Sequence, residues 1–454
     1  MKKVKAKRAM MNTVKTAMAI IAASGFVTCF AAIDFGAHFA KSEAWEETAV
    51  DFTVEHSREG FVFAGQKRDI VNSLKRDSAT WLGREVWESR LYYAPNAGPT
   101  RVELSLYNRG DRREGEGYSR SELDSLVAEI QSNYGAGTKP PKPEKTKLKT
   151  GGFRWEMKWN AYGGKGKQEG CPLEVSLVWG TADVKGGEIQ YVRATFKPAE
   201  KAKPKGAVKS VSGQAAAAKV KANVKKNGDG DVWIDGVPMV DQGRKGYCAA
   251  AVSERVLRYY GHQIDEHEIA QQAGSEARGG TRVSDMIETI RVIGQKKRLG
   301  FNQIVSMSGN LGELEKEVEQ YNKAAKSLKE PEVSIAAHTQ GNMIMVGEIH
   351  EEMKPKVLKK MRMKDSRFKK FLTGVKTQID KGIPVCWGVT LGMFPEPGVN
   401  MQSRGGHMRL IIGYNAKTRE ILYTDTWGAG HELKRMPEDW AFTITHDAFF
   451  LRPL

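Results

Sequence analysis

The sequence predicts an α+β fold, with a small β-rich domain followed by a larger domain in which helices come first and antiparallel strands afterwards. Three observations carry this reading. Between residues 45 and 200, apolar and polar side chains alternate with period two, as half-buried antiparallel strands require. From 231 to 454, helical periodicity precedes strand periodicity, and that segregation marks α+β rather than alternating α/β architecture. Between the two lies a stretch almost devoid of large apolar residues. A length of 454 residues leaves room for two or three domains.

In chain order, "MKKVKAKRAMMNTVKTAMAIIAASGFVTCFAAIDF" opens with lysines and continues with an uncharged run from Thr16 to Ile33. This is the order of a secretory signal, and the run is almost long enough for a membrane anchor. Residues 1–44 are therefore expected to export the chain to the periplasm, the cell surface or the medium, either cleaved after Ala31 or kept as an anchor. Residues 45–200 form the β-rich α+β accessory domain. Its strands are "TRVELSLYN", "FRWEMKWN", "LEVSLVWG" and "IQYVRATF". Its helix starts at a capping box, Ser119 to Glu122, followed by Leu123, Leu126, Val127 and Ile130 at helical spacing. Residues 201–230, rich in Lys, Ala and Gly, read as a linker, because too little apolar surface is present to offset the cost of ordering them. In the larger domain, a basic helical insertion is expected over about 296–380, with Glu and Lys at helical spacing on solvated faces. Strands return in "IPVCWGVTLG", "GGHMRLIIGY", "EILYTDTWG" and "HDAFFLRP".

The formal charge of +17 predicts attraction to anionic partners such as an envelope polymer or a membrane surface. No CxxC zinc pattern, RNP-like aromatic motif or phosphate-binding loop accompanies it, so no specific nucleic-acid partner is expected. His262 and His267 are five apart, which is not the spacing of a zinc helix, so neither a metal nor a cofactor is expected. His431 and His446 stand isolated in the sequence. Of four cysteines, Cys29 falls in the signal; Cys171, Cys248 and Cys386 are too few for a disulfide framework. Cys386, mid-strand, reads as core.

Cys248 stands apart. In "DQGRKGYCAAAVSERVLRYYG", Ala249, Val252, Val256 and Tyr260 share one helical face, while "QGRKG" cannot be regular helix. The cysteine thus falls at a helix N-terminus, where orphan N–H groups and the dipole favour a thiolate. A base is offered by His407, which opens an apolar strand after Gly406. If the hairpin loop runs from Tyr414 to Thr418, His407 lies directly opposite Asp425, with Cβ atoms about 4.5–5.5 Å apart; a loop one residue longer or shorter would put them on opposite faces. A carboxylate there fixes the imidazole tautomer. Gln242, six residues before the cysteine, can offer an amide to a developing oxyanion, alongside the Cys248 main-chain N–H.

These residues resemble the papain-like cysteine peptidases, most closely the C39-like bacterial branch. There a Gln precedes the catalytic Cys by six positions, as Gln242 precedes Cys248. The His opens a strand after small residues, as His407 does. The third member begins an Asn-Ser-Trp-Gly-like motif, matched here by Asp425-Thr426-Trp427-Gly428, with Asp as in the C39-like branch. "GGTRVSDMIETIRVIG" also resembles that branch, and the likeness covers roughly 231–300 and 380–450. Gly246 and Tyr247, before the cysteine, depart from the small pair usual in papain.

The resemblance implies a papain-like fold for 231–454 and a thiol peptidase acting on peptide or protein substrates, which the N-terminal segment would export. Cys248, His407, Asp425 and Gln242 would be catalytic, and Gly246, Tyr247, Gly406 and Trp427 would shape the site, with Trp427 shielding the His–Asp pair. Two alternatives share the sequence: a transglutaminase-like acyl transferase using the same residues, and a catalytically inactive module that docks on an envelope polymer.

Overall fold

The computed structural model describes residues 32–113, 115–148, 152–160, 172–182, 187–199, 218–243, 245–262, 264–274, 283–307, 310–341, 343–396 and 404–454. The expected export segment to residue 31, Cys29, Cys171 and part of "GGTRVSDMIETIRVIG" lie outside them. Among the described residues no helix is long and apolar enough to cross a membrane.

In the first half, an eight-stranded sheet runs in the order Val62–Phe63, Ile70–Ser73, Glu88–Tyr93, Pro99–Asn108, Ile189–Pro198, Leu173–Thr181, Phe153–Asn160 and Glu144–Lys147. The alternation of its long strands sends Leu91, Val102, Leu104, Val175, Leu177, Val192 and Ala194 into one core. The helix Arg120–Tyr134 covers that core with Leu123, Leu126 and Ile130, and its capping box is formed: Ser119 and Glu122 satisfy each other's main-chain N–H.

This half begins earlier than residue 45. Ile33–Asp34 pairs with Ala79–Trp81, and Phe35 and Phe39 of the helix Phe35–Phe39 are fully buried in the same core. Their apolarity, read as the tail of an export signal, serves packing.

In the second half, a sheet runs Val224–Lys226, Asp231–Ile234, Gly405–Asn415, Val385–Leu391, Thr445–Pro453 and Leu299–Ser306. Glu420–Thr424 pairs with Gly405–Asn415, and Lys434–Pro437 with Glu420–Thr424. Two expectations are corrected here. The stretch expected as linker up to 230 already belongs to the sheet from Val224, because Val224 faces Ile234 across a ladder. The helical insertion opens on a strand: Leu299–Ser306 pairs with Thr445–Pro453 through alternating residues between two helices. The helices Leu311–Leu328, Pro355–Arg362 and Arg367–Ile379 are not solvated all round. Val318, Tyr321, Val357, Phe371 and Val375 pack on one face of the sheet with Trp387 and Ile411. The opposite face holds Met408, Leu410, Ile412 and Cys386 against the helix Cys248–Tyr259. The sheet thus separates two cores, and its strand Gly405–Asn415 is shared by both.

Candidate active site

The helix Cys248–Tyr259 starts without a side-chain cap: Tyr247 precedes it and supplies only a main-chain carbonyl, to Ala251 N at 2.8 Å. The first N–H groups are therefore left for something other than a capping oxygen. Cys248 is the first helical residue and half-buried, and its thiol is influenced by His407 and by main-chain hydrogen-bonding groups of Met408 and Ala249. Burial pushes the thiol up, but the His407 charge and these bonds outweigh it and hold Cys248 below its ordinary value. Burial pushes His407 down, yet the Cys248 charge and the Asp425 hydrogen bond raise it above the ordinary imidazole range. The two shifts run in opposite directions, each toward the charged form of its group. Cys386, fully enclosed in the core, has no such partner among the described residues, and burial pushes it up to about 12.

His407 Nε2 lies 3.0 Å from Asp425 Oδ1, so the other ring nitrogen, Nδ1, is the one left for Cys248. The two residues meet by a different register from the one expected. The turn is shorter, with Asn415 facing Glu420 and Gly413 facing Leu422. Continued unbroken, that ladder would place His407 and Asp425 on opposite faces. A bulge at Ile412 inserts one residue, after which Ile411 faces Tyr423 and Leu410 faces Thr424. Continuing this register sets Arg409 beside Asp425 and His407 beside Trp427. The side chains agree: Arg409 Nε is 2.9 Å from Asp425 Oδ1, and the His407 ring stacks on Trp427 with centroids 4.6 Å apart at 18°. His407 reaches Asp425 diagonally rather than directly.

Asp425 is fully buried and meets His407, Arg409 and Lys434, whose Nζ is 2.7 Å from its Oδ2. Burial pushes this carboxyl up, but the His407 hydrogen bond and the Arg409 and Lys434 charges hold it well below the carboxylate range. Arg409, itself buried, also forks onto both Glu396 oxygens at 2.9 Å. Arg255, on the cysteine helix, donates to the Asp425 carbonyl at 2.6 Å and to Thr424 Oγ1 at 2.9 Å, fastening the cysteine helix to the aspartate segment. Sequence reasoning missed these three basic residues. The available signal was a basic residue inside an otherwise apolar pattern, as Arg409 is in "HMRLIIGY" and Arg255 in "AAAVSERVL".

Gln242 is buried; its main-chain N–H donates to the Thr426 carbonyl at 2.9 Å, and its Oε1 accepts from Thr426 Oγ1. Nε2 donates one hydrogen to the Lys245 carbonyl at 2.7 Å; its second has no partner among the described residues. Gly406 is exposed, and a Cβ there would meet no described atom within 4 Å. Gly246 occupies the bend before Tyr247, whose ring is buried against the first domain. His431 lies edge-on to Trp427. His446 is not isolated: it packs on His350 with centroids 4.9 Å apart, on a strand next to Val385–Leu391.

His267 lies with Glu88 and Asp111 of the first domain, their nearest ligand-type atoms within 4.8 Å of one another. The Lys245 ammonium sits among them, 3.1 Å from Asp111 Oδ2 and 3.3 Å from His267 Nε2, taking the place a divalent ion would need.

Known proteins bear on this arrangement. Residues 234–445 match the Peptidase_C39 like family. Among solved structures, the peptidase domain of Streptococcus ComA, described as a bi-functional ABC transporter involved in a quorum sensing pathway, is similar at 11% identity and a TM-score of 0.24, over 48% of this chain and 100% of that one. Xylellain, a cysteine protease from Xylella fastidiosa, is similar at 13% identity and a TM-score of 0.26, over 52% of this chain and 89% of that one. No curated protein matches the chain. The segment that matches the Peptidase_C39 like family, residues 234–445, carries Gln242, Cys248, His407 and Asp425.

Proposed function

We propose that the chain is an exported cysteine peptidase that cleaves peptide or amide bonds through Cys248, His407 and Asp425. One observation carries the reading: His407 stands between a carboxylate held ionised and a thiol at a helix N-terminus, and the thiol and imidazole are shifted in opposite directions. The family match of residues 234–445 supports a cysteine peptidase independently.

In this reading the Cys248 thiolate adds to the substrate carbonyl carbon. The developing oxyanion is met by the free Gln242 N–H and the Cys248 main-chain N–H. The carbon–nitrogen bond breaks as the His407 imidazolium gives its proton to the leaving amine, and a thioester remains. Neutral His407 then takes a proton from water, the hydroxide attacks the thioester, and the acid departs with the thiolate restored. Asp425 fixes the ring through Nε2, and the stacked Trp427 keeps water from that bond. The basic regions would hold the enzyme near an anionic envelope polymer or membrane surface.

The test is cleavage of a peptide library by the full chain beside Cys248→Ala. Cleavage by the wild type alone is expected; equal cleavage by both eliminates the thiol mechanism.

A further inference from the structure

The two domains meet through side chains that sequence alternation assigns to solvent. Arg90, on the outward face of the first sheet, reaches Glu266 at 2.6 Å and Glu254 at 3.3 Å. Arg193 reaches Asp265 at 2.9 Å, and Arg258 of the cysteine helix reaches Glu103 at 3.3 Å. This junction extends to the residues just before the nucleophile.

The strand Pro99–Asn108 ends in the single turn Arg109–Asp111, braced internally by Asn108 Nδ2 to Asp111 Oδ2 at 2.9 Å. Two residues of the nucleophile loop rest on this turn. Tyr247 presses its hydroxyl onto Gly110, so closely that a Cβ there would fall 1.5 Å from Oη. Asn108 Nδ2 approaches the same hydroxyl at 3.4 Å. Lys245 places its ammonium on Glu88 and Asp111, while its carbonyl receives the Gln242 amide at 2.7 Å. One turn of the first domain therefore holds both residues that bracket Gly246, immediately ahead of Cys248.

We infer that the turn Arg109–Asp111, with Glu88, is a positioning element for the nucleophile, so that the accessory domain sets the reactivity of Cys248 and the aim of Gln242. This rests on the peptidase reading. Gly110, Asp111 and Glu88 touch no substrate; they act through Tyr247 and Lys245. Displacing a catalytic group by about 1 Å is enough to cost orders of magnitude in rate.

The experiment uses the full chain with Gly110→Ala, Asp111→Asn, Lys245→Met and the conservative Lys245→Arg. It reads the iodoacetamide rate at Cys248 from pH 5 to 10, and kcat and KM on the best library peptide. Gly110→Ala and Lys245→Met are expected to lose about tenfold or more in alkylation at pH 6 and in kcat, with KM within twofold and alkylation at pH 10 unchanged. Asp111→Asn is expected to move in the same direction, and Lys245→Arg to recover most of the loss. Should Gly110→Ala fail to fold, the nearly isosteric Asp111→Asn decides. Wild-type pH profiles in the folded variants, even with lowered melting temperatures, overturn the inference and leave the peptidase reading standing. A wild-type Cys248 that alkylates at pH 6 like a cysteine in a free peptide overturns both.

Discussion

Replacing Gln242 by alanine separates two roles that the geometry assigns to one amide. Among the described residues the side chain makes two internal hydrogen bonds, from Thr426 Oγ1 to Oε1 and from Nε2 to the Lys245 carbonyl, which leaves it one N–H to spare. Losing the internal pair costs about 1 kcal/mol for each bond, so the protein stays folded if its stability lies in the ordinary range of roughly 5–15 kcal/mol. Losing the spare N–H removes one of two oxyanion donors from a water-poor site, about 2.7–4 kcal/mol in the transition state, or roughly 10²–10³ in kcat. KM is expected to stay nearly unchanged, since the donor meets charge only as it develops. Alkylation of Cys248 by iodoacetamide forms no oxyanion, so its rate is expected to hold. The assays are steady-state kinetics on a cleaved peptide and alkylation followed by mass spectrometry, on the same preparation. A kcat within threefold of wild type refutes the oxyanion role; a parallel fall in kcat and alkylation shows that Gln242 serves the thiolate instead.

Limited iodoacetamide at pH 7 is expected to modify the Cys248 peptide and spare the Cys386 peptide, because Cys386 is raised to about 12 by burial; equal labelling in the folded protein contradicts the two environments. Asp425→Asn is expected to cost about 3–5 kcal/mol of stability besides activity, since it leaves the buried Arg409 and the nearly buried Lys434 without their shared anion; a melting temperature within 2 °C of wild type argues against that network. Arg90→Met strips the buried Glu266 carboxylate of its cation, while Glu254 keeps Arg258 at 2.6 Å, and is expected to destabilise by a similar amount, read by denaturant titration. Glu103 is mostly enclosed, which raises its carboxyl, yet Arg258, Arg101 and Arg193 hold it at about 2. A depressed acid stabilises the fold above its unfolded value, and that stability is lost as pH falls from about 4.5 toward 2. Glu103→Gln is expected to flatten the melting-temperature profile over that window, and an unchanged slope removes Glu103 from the account.

Local patterns were legible where one periodicity ruled. The strands around Val102, Met157, Val175 and Val192 follow from alternation, and the helix after Ser119 from its capping box. Cys248 at a helix start followed from the glycines before it and the apolar stripe after it. What could not be read depends on contacts distant in sequence. The expected loop from Tyr414 to Thr418 is not the turn that forms, and the bulge at Ile412 compensates; pattern alone does not show an inserted residue in an apolar run. Arg90, Glu103 and Arg193 occupy the polar positions of alternating strands, so the rule that makes them strand residues also makes them look solvated. Phe35 and Phe39 were misassigned because an export signal and a packed helix have the same composition.

The compensating bulge has a consequence for how this hairpin tolerates change in length. A single insertion or deletion in the turn after Asn415 reverses which way every later side chain of the returning strand points, and so carries Asp425 away from the imidazole unless Ile412 is also gained or lost. Variants of the turn that keep the site intact therefore alter it by an even number of residues, or pair an odd change there with a second one in the strand.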